Sequence, residues 1–358
     1  MDPDGRTVTL KGLRCDNLAN SVISDDPEEE RSVSFDQCVV ALGCESPQGA
    51  VPGAVEHALP FYTVEDSHRV KKAVNVLATN RQPMVNVVVI GGSYCGVELA
   101  SNLVGAIGKD RVSVTVVQRG DQILQCASKS NKASGERALN RGNVQVMTGK
   151  AVSEVTKGGV IVEDGNGSQT LPADLIIWTA GVKPNSVAEV MGLARDDTGK
   201  VLVDSQLQVN GQEEAVYCIG DLAAVKGEQL PSNAQVAMQQ SDVVAWNIWS
   251  KATGKRKPLD FSFTNLGEVL SLGRLDASVS ALQDRISFRG PPAAVARRAM
   301  YALRMPTRRQ RATAATSWVL GTAVNMGMGA LEKGGNLVGR ARRKAQQDRS
   351  EDLRGAGE

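Results

Sequence analysis

The sequence has little of what several common functional sites require. Its six cysteines form no C-x-x-C pair and show no zinc-ligand spacing, and only two histidines occur in 358 residues. We therefore expect no metal site and no disulfide framework, and we expect the thiols to be reduced. No run reaches the roughly 18 apolar residues of a membrane-spanning helix. Any membrane contact is therefore expected to be superficial.

The overall charge is also unremarkable, since 41 basic and 39 acidic residues leave a net charge of +2. Such a balance does not favour a nucleic-acid partner. The first four residues, Met1 to Asp4, show neither the basic and apolar pattern of a secretory signal nor the features of a transit peptide. The chain is long enough for two domains, and its composition is typical of a globular protein.

One segment carries a clear nucleotide-binding pattern. The apolar run Val85 to Ile90 is followed by Gly91-x-Ser93-x-x-Gly96, then by the apolar helical pattern Val97 to Val104 and a second run, Val112 to Val117. This order predicts a βαβ unit, in which Gly91 makes the tight turn and Gly96 lets helix and strand pack closely. The N-terminus of the helix would then face a pyrophosphate.

The end of the second strand of this unit bears on which nucleotide binds. An Asp or Glu at this point normally accepts hydrogen bonds from the adenine ribose of NAD. Here the strand ends in Val117-Gln118-Arg119. A neutral Gln does not repel a 2′-phosphate, and Arg119 offers a guanidinium to pair with it. The sequence therefore favours NADPH, while a solvated surface arginine remains the alternative interpretation of Arg119.

Further elements are indicated by periodicity and by turn residues. We predict a buried strand within 34–43, a helix over 63–77 after a Thr-x-x-Asp start, a chain boundary at Gln82-Pro83 and an antiparallel meander over 144–171. Further predictions are a buried strand over 173–178, strands at 201–203 and 216–219, and a helix over 235–249.

The arrangement of two strand ends identifies a family. Trp178-Thr179-Ala180-Gly181 is followed downstream by Ala215 to Gly220-Asp221. Together they resemble the two-dinucleotide-binding-domain flavoproteins, and within them the type II NAD(P)H:quinone oxidoreductases. The C1-type plant and algal branch, that of the demethylphylloquinone reductases, is the most similar. The resemblance covers about Phe35 to Trp318.

The resemblance implies cofactors and roles for individual residues. FAD would contact Gly43, Gly220 and Asp221, with Asp221 on the ribityl hydroxyls. The helix beginning near Ala234 would point at the flavin pyrimidine edge. NADPH, or NADH, would bind at Gly91, Ser93, Gly96, Arg119 and Gly181, where Ser93 replaces the usual second glycine. Glu98 would lie near nicotinamide and flavin, and Gln235 beside the quinone. These two catalytic positions would set geometry and not act as acid or base. Without the family, Gln235 is typical of a surface residue on an amphipathic helix.

The resemblance also implies a fold and a domain order. The fold class is α/β, with two Rossmann-like domains of the glutathione-reductase type. We expect part of the FAD domain at 1–82, the inserted NAD(P) domain at 83–198, the FAD-domain return at 199–265, a membrane- and quinone-associated region at 266–338 and a disordered tail at 339–358. Nothing before Phe35 matches the first flavin-binding glycine motif, so we expect the FAD domain to be incomplete and the 358-residue chain not to retain FAD.

The C-terminal region is strongly basic. Residues 285–311 hold eight arginines and no acidic residue, interleaved with apolar side chains. A basic amphipathic segment suits an anionic membrane surface, and a solvated basic face is the alternative. The implied partners are a lipid-soluble quinone and a peripheral membrane surface, with a homodimer allowed. The implied location is an organellar membrane, a plastid thylakoid or lipid-droplet surface in preference to a mitochondrion.

Two other functions remain open at this point. One is a pyridine nucleotide-disulfide reductase of the same superfamily, which would need a redox-active cysteine pair and, in the glutathione-reductase type, a C-terminal catalytic histidine. The only histidines are His57 and His68. The other is a non-catalytic NADP-binding fragment that does not hold flavin.

Overall fold

The computed structural model describes residues 1–3, 5–11, 30–79, 84–165, 167–212, 215–305 and 307–318. The expected boundary at Gln82-Pro83 and the expected tail at 339–358 lie outside the described residues. Residues 319–338 of the expected membrane- and quinone-associated region also lie outside them. The chain forms one compact unit through Pro291 and a second that begins at Pro292.

Nineteen strands occur among the described residues. They are β1 (Thr7–Lys11), β2 (Glu30–Ser34), β3 (Cys38–Val40), β4 (Cys44–Glu45), β5 (Leu59–Pro60), β6 (Val85–Ile90), β7 (Val112–Val117), β8 (Gln145–Met147), β9 (Ala151–Thr156), β10 (Gly159–Asp164), β11 (Gly167–Pro172), β12 (Leu175–Trp178), β13 (Lys183–Pro184), β14 (Val201–Val203), β15 (Val216–Cys218), β16 (Ala223–Val225), β17 (Glu268–Gly273), β18 (Asp276–Ala281) and β19 (Ile286–Arg289).

Six α-helices with defined bounds accompany these strands in the described part of the chain, and residues 308–318 are helical as well. They are α1 (Ala54–His57), α2 (Val64–Thr79), α3 (Tyr94–Ile107), α4 (Lys129–Arg141), α5 (Ala234–Thr253) and α6 (Pro291–Arg304). The helix predicted over 63–77 corresponds to α2, and the helix predicted over 235–249 corresponds to α5.

A five-stranded sheet in the order β5-β12-β6-β7-β8 forms the centre of the nucleotide-binding part. All of its strand pairs are parallel. Nearly every residue of β6 and β7 is buried, as expected when helices cover both faces of a parallel sheet. The predicted βαβ unit is therefore present, with α3 as the crossover helix.

The meander prediction is only partly right. Strands β9, β10 and β11 do form an antiparallel sheet. The residues at the start of the predicted range behave differently, because β8 pairs in parallel with β7. The short run Val144 to Met147 follows α4 and completes a second crossover, a topology that apolar alternation alone does not distinguish from a hairpin strand.

A second, smaller parallel pairing joins distant parts of the chain. β3 pairs with β15, so that Cys38 lies opposite Val216 and Val40 opposite Cys218. The entire five-stranded sheet is thus formed by residues between two strands that pair with each other. Strands β15, β14 and β16 and helix α5 share a hydrophobic core with β3, in which Tyr217 is 1% exposed.

The five-stranded sheet begins earlier in the chain than the expected domain start at residue 83. Its edge strand β5 pairs with β12, and α2 contributes Val70 and Val74 to the core beneath the sheet. The segment 59–79 therefore packs with the nucleotide-binding sheet.

The residues after α5 form a three-stranded antiparallel sheet, β17-β18-β19, that the periodicity did not indicate. Leu270 and Leu272 of β17 join the core of the nucleotide-binding part. The basic segment is consequently divided, since Arg289 ends β19 whereas Arg297, Arg298 and Arg304 lie on α6. Within the described residues, no helix combines the length and the hydropathy needed to cross a membrane.

Candidate functional site

Three neighbouring parallel strands end at one edge of the five-stranded sheet. In register, Trp178 of β12 lies opposite Ile90 of β6, and Ile90 lies opposite Val117 of β7. The residues that follow, Thr179, Gly91 and Gln118, therefore meet at the carboxyl edge, where open α/β sheets bind ligands. The Thr179 hydroxyl donates hydrogen bonds to the carbonyl oxygens of Ile90 (2.9 Å) and Gly91 (3.1 Å), which fixes the turn against the neighbouring strand.

The two glycines of the turn are required by space as well as by conformation. Gly91 has φ of 112°, a backbone state that residues with a Cβ rarely adopt. At Gly96 an added Cβ would lie 1.8 Å from the carbonyl oxygen of Gly91. The glycine therefore lets α3 approach the strand end, as the sequence pattern predicted.

The N-terminus of α3 presents backbone donors at this edge. Ser93 is the N-cap residue in an extended conformation, is exposed, and its side chain accepts no hydrogen bond from the first turn. The first N–H groups of a helix have no partner within the helix, and the helix dipole makes them attractive to anions. The geometry thus fits a pyrophosphate over Ser93.

Gln118 and Arg119 stand where the adenine ribose of a dinucleotide would lie. The side-chain oxygen of Gln118 accepts a hydrogen bond from the Gly92 N–H at 2.9 Å, so the neutral amide supports the glycine turn directly. Arg119 is exposed and forms no ion pair with any other described residue. Its guanidinium is therefore free to contact a ligand phosphate.

A second cluster lies at the ends of the paired strands β3 and β15. Gly43 and Gly220 follow these strands with φ of 64° and 77°. The Cys44 thiol donates to the carbonyl oxygen of Asp221 at 3.6 Å, so the two loops touch. Gly181, with φ of 69°, precedes β13, which pairs with β4 directly after Gly43. Gly181 thus lies on the loop that runs from the nucleotide-binding edge to this second cluster.

Asp221 carries a carboxylate without a hydrogen-bond partner among the described residues. Burial raises the pKa of this carboxyl above its ordinary value, while the charge of Lys200 opposes the shift. Burial likewise raises the pKa of the Tyr62 phenol, which lies near Cys44 and Asp221. A half-buried carboxylate that is not paired in the protein is suited to bind hydroxyl groups of a ligand.

Gln240 of α5 completes the surroundings of Gly220. Its side-chain oxygen accepts the Gly220 N–H at 2.6 Å, and its residue is 0% exposed. The amide nitrogen Nε2 of the same side chain is buried and has no hydrogen-bond partner. An unpartnered acceptor on Asp221 and an unpartnered donor on Gln240 therefore lie next to the same glycine.

The N-terminus of α5 packs beside this loop. A Cβ added to Gly220 would lie 3.6 Å from the Cβ of Ala237 in the first turn of the helix. Asn233 caps the helix by accepting the Val236 N–H, which leaves Ala234 exposed at the first helical position. The positive end of the helix dipole is thus directed at the cluster that contains Gly43, Gly220 and Asp221.

Gln235 makes contacts that the sequence did not predict. Its amide donates to the carbonyl oxygen of Gly267 at 2.6 Å and accepts the N–H of Leu266 at 3.0 Å. One turn later, Gln239 forms the same pair of bonds with Thr264, at 2.8 and 3.0 Å. The two side chains hold the segment that leads into β17 against α5.

Glu98 lies at the other end of that segment. Its carboxylate accepts the N–H of Ser271 in β17 at 2.6 Å, and Asn102 one turn later donates to the Ser271 carbonyl oxygen at 3.4 Å. The segment from Thr264 to Ser271 is therefore bound to α5 by Gln235 and to α3 by Glu98. The two expected catalytic positions, Glu98 on α3 and Gln235 on α5, therefore bind the same segment of the chain.

The cysteines do not form a reactive pair among the described residues, where all five are free thiols. Burial raises the pKa of Cys95 to about 11 and that of Cys218 to about 12, and it also raises the pKa of Cys38 and Cys44. A raised pKa disfavours the thiolate, the reactive form in thiol–disulfide exchange. No cluster suited to a metal ion occurs in the described ranges either.

Three side chains in these clusters were not predicted from the sequence. Thr179 and Gln240 act on backbone groups of glycine turns, and Tyr62 lies beside Asp221 through a loop that precedes it by more than a hundred positions. Thr179 could have been found from its place directly after a buried strand. Gln240 and Tyr62 carry no local signal, because their positions depend on tertiary packing.

Comparisons with known proteins agree with this arrangement. A family model described as pyridine nucleotide-disulphide oxidoreductase matches residues 1–241. Demethylphylloquinone reductase NdbB of Synechocystis is 32% identical over 301 residues, which cover 83% of this chain and 73% of that protein. The alternative NAD(P)H-ubiquinone oxidoreductase C1, chloroplastic/mitochondrial, of Arabidopsis thaliana is 34% identical over 316 residues, 82% of this chain and 60% of that protein.

A solved structure supports the fold. The NDH2 of Plasmodium falciparum in complex with NADH matches with a TM-score of 0.74 at 13% identity, covering 89% of this chain and 81% of that one. FAD and NAD(P)H are the cofactors that these matches imply for the chain. The chain therefore belongs to the pyridine nucleotide-disulphide oxidoreductase family and, within it, to the type II NAD(P)H:quinone oxidoreductases.

Proposed function

We propose that the protein oxidises NADPH and passes the electrons through FAD to a prenylated quinone, such as a phylloquinone precursor, plastoquinone or ubiquinone. The observation that carries the proposal is the pair of clusters described above. One lies at a glycine turn with a free helix N-terminus, and the other surrounds an unpartnered carboxylate at the end of a second parallel strand pair. They are joined by the loop that contains Gly181.

On the nucleotide side, each residue has a distinct task. The N-terminus of α3 above Ser93 binds the pyrophosphate, and Gly91 and Gly96 make room for it. Arg119 pairs with the 2′-phosphate of NADPH, and Gln118 leaves that phosphate without a repelling charge. The absence of a carboxylate at residue 118 supports the preference for NADPH over NADH.

On the flavin side, the residues present fit the ribityl and ring end of FAD. Asp221 would accept hydrogen bonds from the ribityl hydroxyls of bound FAD, and the N-terminus of α5 at Ala234 would favour negative charge at the ring end of the cofactor. Gly43 and Gly220 allow the cofactor to approach the backbone. Bound FAD supplies the hydride acceptor for the nicotinamide and the electron donor for the quinone.

Glu98 and Gln235 act as positioning groups. Since both bind the backbone of the segment 264–271, they set the spacing between α3 and α5, and thereby between the nicotinamide and flavin sites. Gln235 also lies in the first turn of α5, on the side of the flavin site at which we place the quinone.

The C-terminal residues supply a means of attachment to a membrane. In the second unit, α6 exposes Val295, Tyr301 and Leu303 together with arginines, and Arg297 stacks on Tyr301 at 5.0 Å. Exposed apolar and basic side chains on one helix suit the interface of an anionic membrane. We therefore place the protein at the surface of an organellar membrane, with a plastid favoured over a mitochondrion.

Because the chain is not expected to retain FAD through purification, the test is quinone-dependent oxidation of NADPH by the purified protein supplied with excess FAD. We expect turnover with a water-soluble quinone, and we expect Asp221→Ala to lose most of it because FAD is held less well. Arg256→Ala, which changes an exposed arginine far from these clusters in sequence, should leave turnover unchanged.

Two further measurements distinguish the alternatives. NADPH-dependent reduction of a disulfide substrate in place of the quinone would indicate a disulfide reductase. Binding of NADPH without any FAD-dependent turnover would indicate a non-catalytic nucleotide-binding protein. Either result would contradict the proposed reaction.

A further inference from the structure

A cavity of about 450 Å³ lies away from both clusters, between α4 and the C-terminal sheet. Its volume falls in the range of small-molecule sites, roughly 300–1,000 Å³. Three arginines and one aspartate contribute all of the charged groups of its lining. The lining consists of Ser134, Arg137, Arg141, Leu272, Asp276, Arg289 and Gly290.

The arginines reach the cavity from separate elements. Arg137 and Arg141 are one turn apart on α4, so they extend from the same face of the helix, where like charges at this spacing repel each other. Arg289 comes from the end of β19. The dipole of α4 favours a cation at Arg141, in the last turn, but does not account for Arg289.

Only one of these charges is neutralised. Arg141 donates to Asp276 at 2.6 Å. Arg137 donates to the hydroxyl of Ser134 at 3.1 Å, a neutral partner. Arg289 forms no ion pair within the part of the chain that the structure describes. Two guanidinium groups are therefore left uncompensated around one concave space, which is the donor arrangement that phosphate oxygens match.

We propose that this cavity binds a phosphate group through Arg137 and Arg289, with Arg141 held in place by Asp276. The ligand class is an organic phosphate, either the headgroup of an anionic phospholipid or a soluble phosphate ester. Arg289 precedes the first residue of α6 by two positions. A lipid headgroup bound by Arg289 would therefore lie close in sequence to the start of α6, the helix that we place at the membrane.

The proposal is tested with the full chain, glycerol 3-phosphate and two kinds of vesicle. Binding of glycerol 3-phosphate is measured by calorimetry, and co-sedimentation is measured with phosphatidylglycerol and with phosphatidylcholine vesicles. Arg137→Gln and Arg289→Gln are each expected to weaken phosphate binding about tenfold, since a hydrogen bond to a charged group contributes of that order. The double variant should lose less than the product of the two effects, because both side chains bind the same group.

The matched control removes two other exposed charges, with Lys255→Gln and Arg256→Gln combined. It has the same net charge as the double cavity variant, so a purely long-range effect of charge would lower vesicle binding equally in both. The affinity for NADPH should stay unchanged in every variant, which shows that each one is folded.

The outcomes assign the source of the phosphate. Loss of binding to phosphatidylglycerol vesicles in the cavity variant but not in the control supports the lipid headgroup. Loss of glycerol 3-phosphate binding with unchanged vesicle binding supports a soluble ester. Equal behaviour of the cavity variant and the control with both ligands would overturn the proposal.

Discussion

The preference for NADPH can be tested at Gln118 and Arg119. Arg119 is exposed and has no ion-pair partner among the described residues, so Arg119→Ala should remove a ligand contact and little else. A hydrogen bond to a charged group contributes about 1.5–3 kcal/mol, and exposure reduces this to the lower end. We therefore expect NADPH binding to weaken roughly tenfold, while NADH binding stays nearly unchanged.

Gln118→Glu tests the same site from the opposite direction. A glutamate keeps an oxygen to accept the Gly92 N–H, so the turn should survive. At a separation of about 5 Å, the added charge and each unit of phosphate charge would repel by about 1–2 kcal/mol at an effective dielectric constant of about 40–80. NADPH should bind at least about tenfold more weakly, and NADH should gain a ribose acceptor.

The assay is a fluorescence titration of each variant with NADPH and with NADH, with Arg256→Ala as the control. Equal weakening of both nucleotides by Arg119→Ala would show that Arg119 does not bind the 2′-phosphate. An unchanged ratio of the two dissociation constants in Gln118→Glu would likewise show that residue 118 does not set the preference for NADPH.

Three further predictions follow from individual contacts. Gly96→Ala should abolish NADPH binding and lower the Tm, because its Cβ would lie 1.8 Å from the Gly91 carbonyl oxygen; Gly105→Ala on the same helix has nothing within 4 Å and should raise the Tm slightly. Asp221→Asn should raise the Tm at neutral pH and weaken FAD binding. The raised pKa of Asp221 favours the neutral carboxyl in the folded state. The gain in Tm should therefore shrink as the pH falls through the folded-state pKa and should vanish below about pH 4. A gain in Tm that persists below about pH 4 would show that it does not come from the charge of Asp221. Gln235→Ala should raise the KM for the quinone in steady-state assays with little change in the KM for NADPH, and equal changes in both would indicate a purely structural role.

The local motifs could be predicted because their signals lie within a few residues. The Gly91–Gly96 turn and the strands beside it can be predicted from a buried β-branched run and a helix start alone. The structure contains this turn and these strands. Gly43 and Gly220 required the family resemblance, because nothing in their own segments shows that β3 and β15 pair across more than 170 residues.

The contacts of the catalytic positions could not be predicted. Glu98 and Gln235 bind backbone groups of the segment 264–271, and that segment has no helical or strand periodicity strong enough to indicate β17. The sheet β17-β18-β19 depends on packing against α3 and α4, so its existence is a tertiary effect. The same effect divides the basic segment, which sequence alone suggested to be one amphipathic stretch.

The proposed reaction requires NADPH and FAD to bind close enough for hydride transfer, and it requires a quinone then to remove the electrons. The direct measurement is the visible absorbance of the protein supplied with FAD, recorded anaerobically while NADPH and then a quinone are added. We predict that NADPH bleaches the flavin band faster than NADH does and that the quinone restores it. A flavin band that stays unchanged while NADPH binds, or a bleached band that the quinone does not restore, would contradict the proposed reaction.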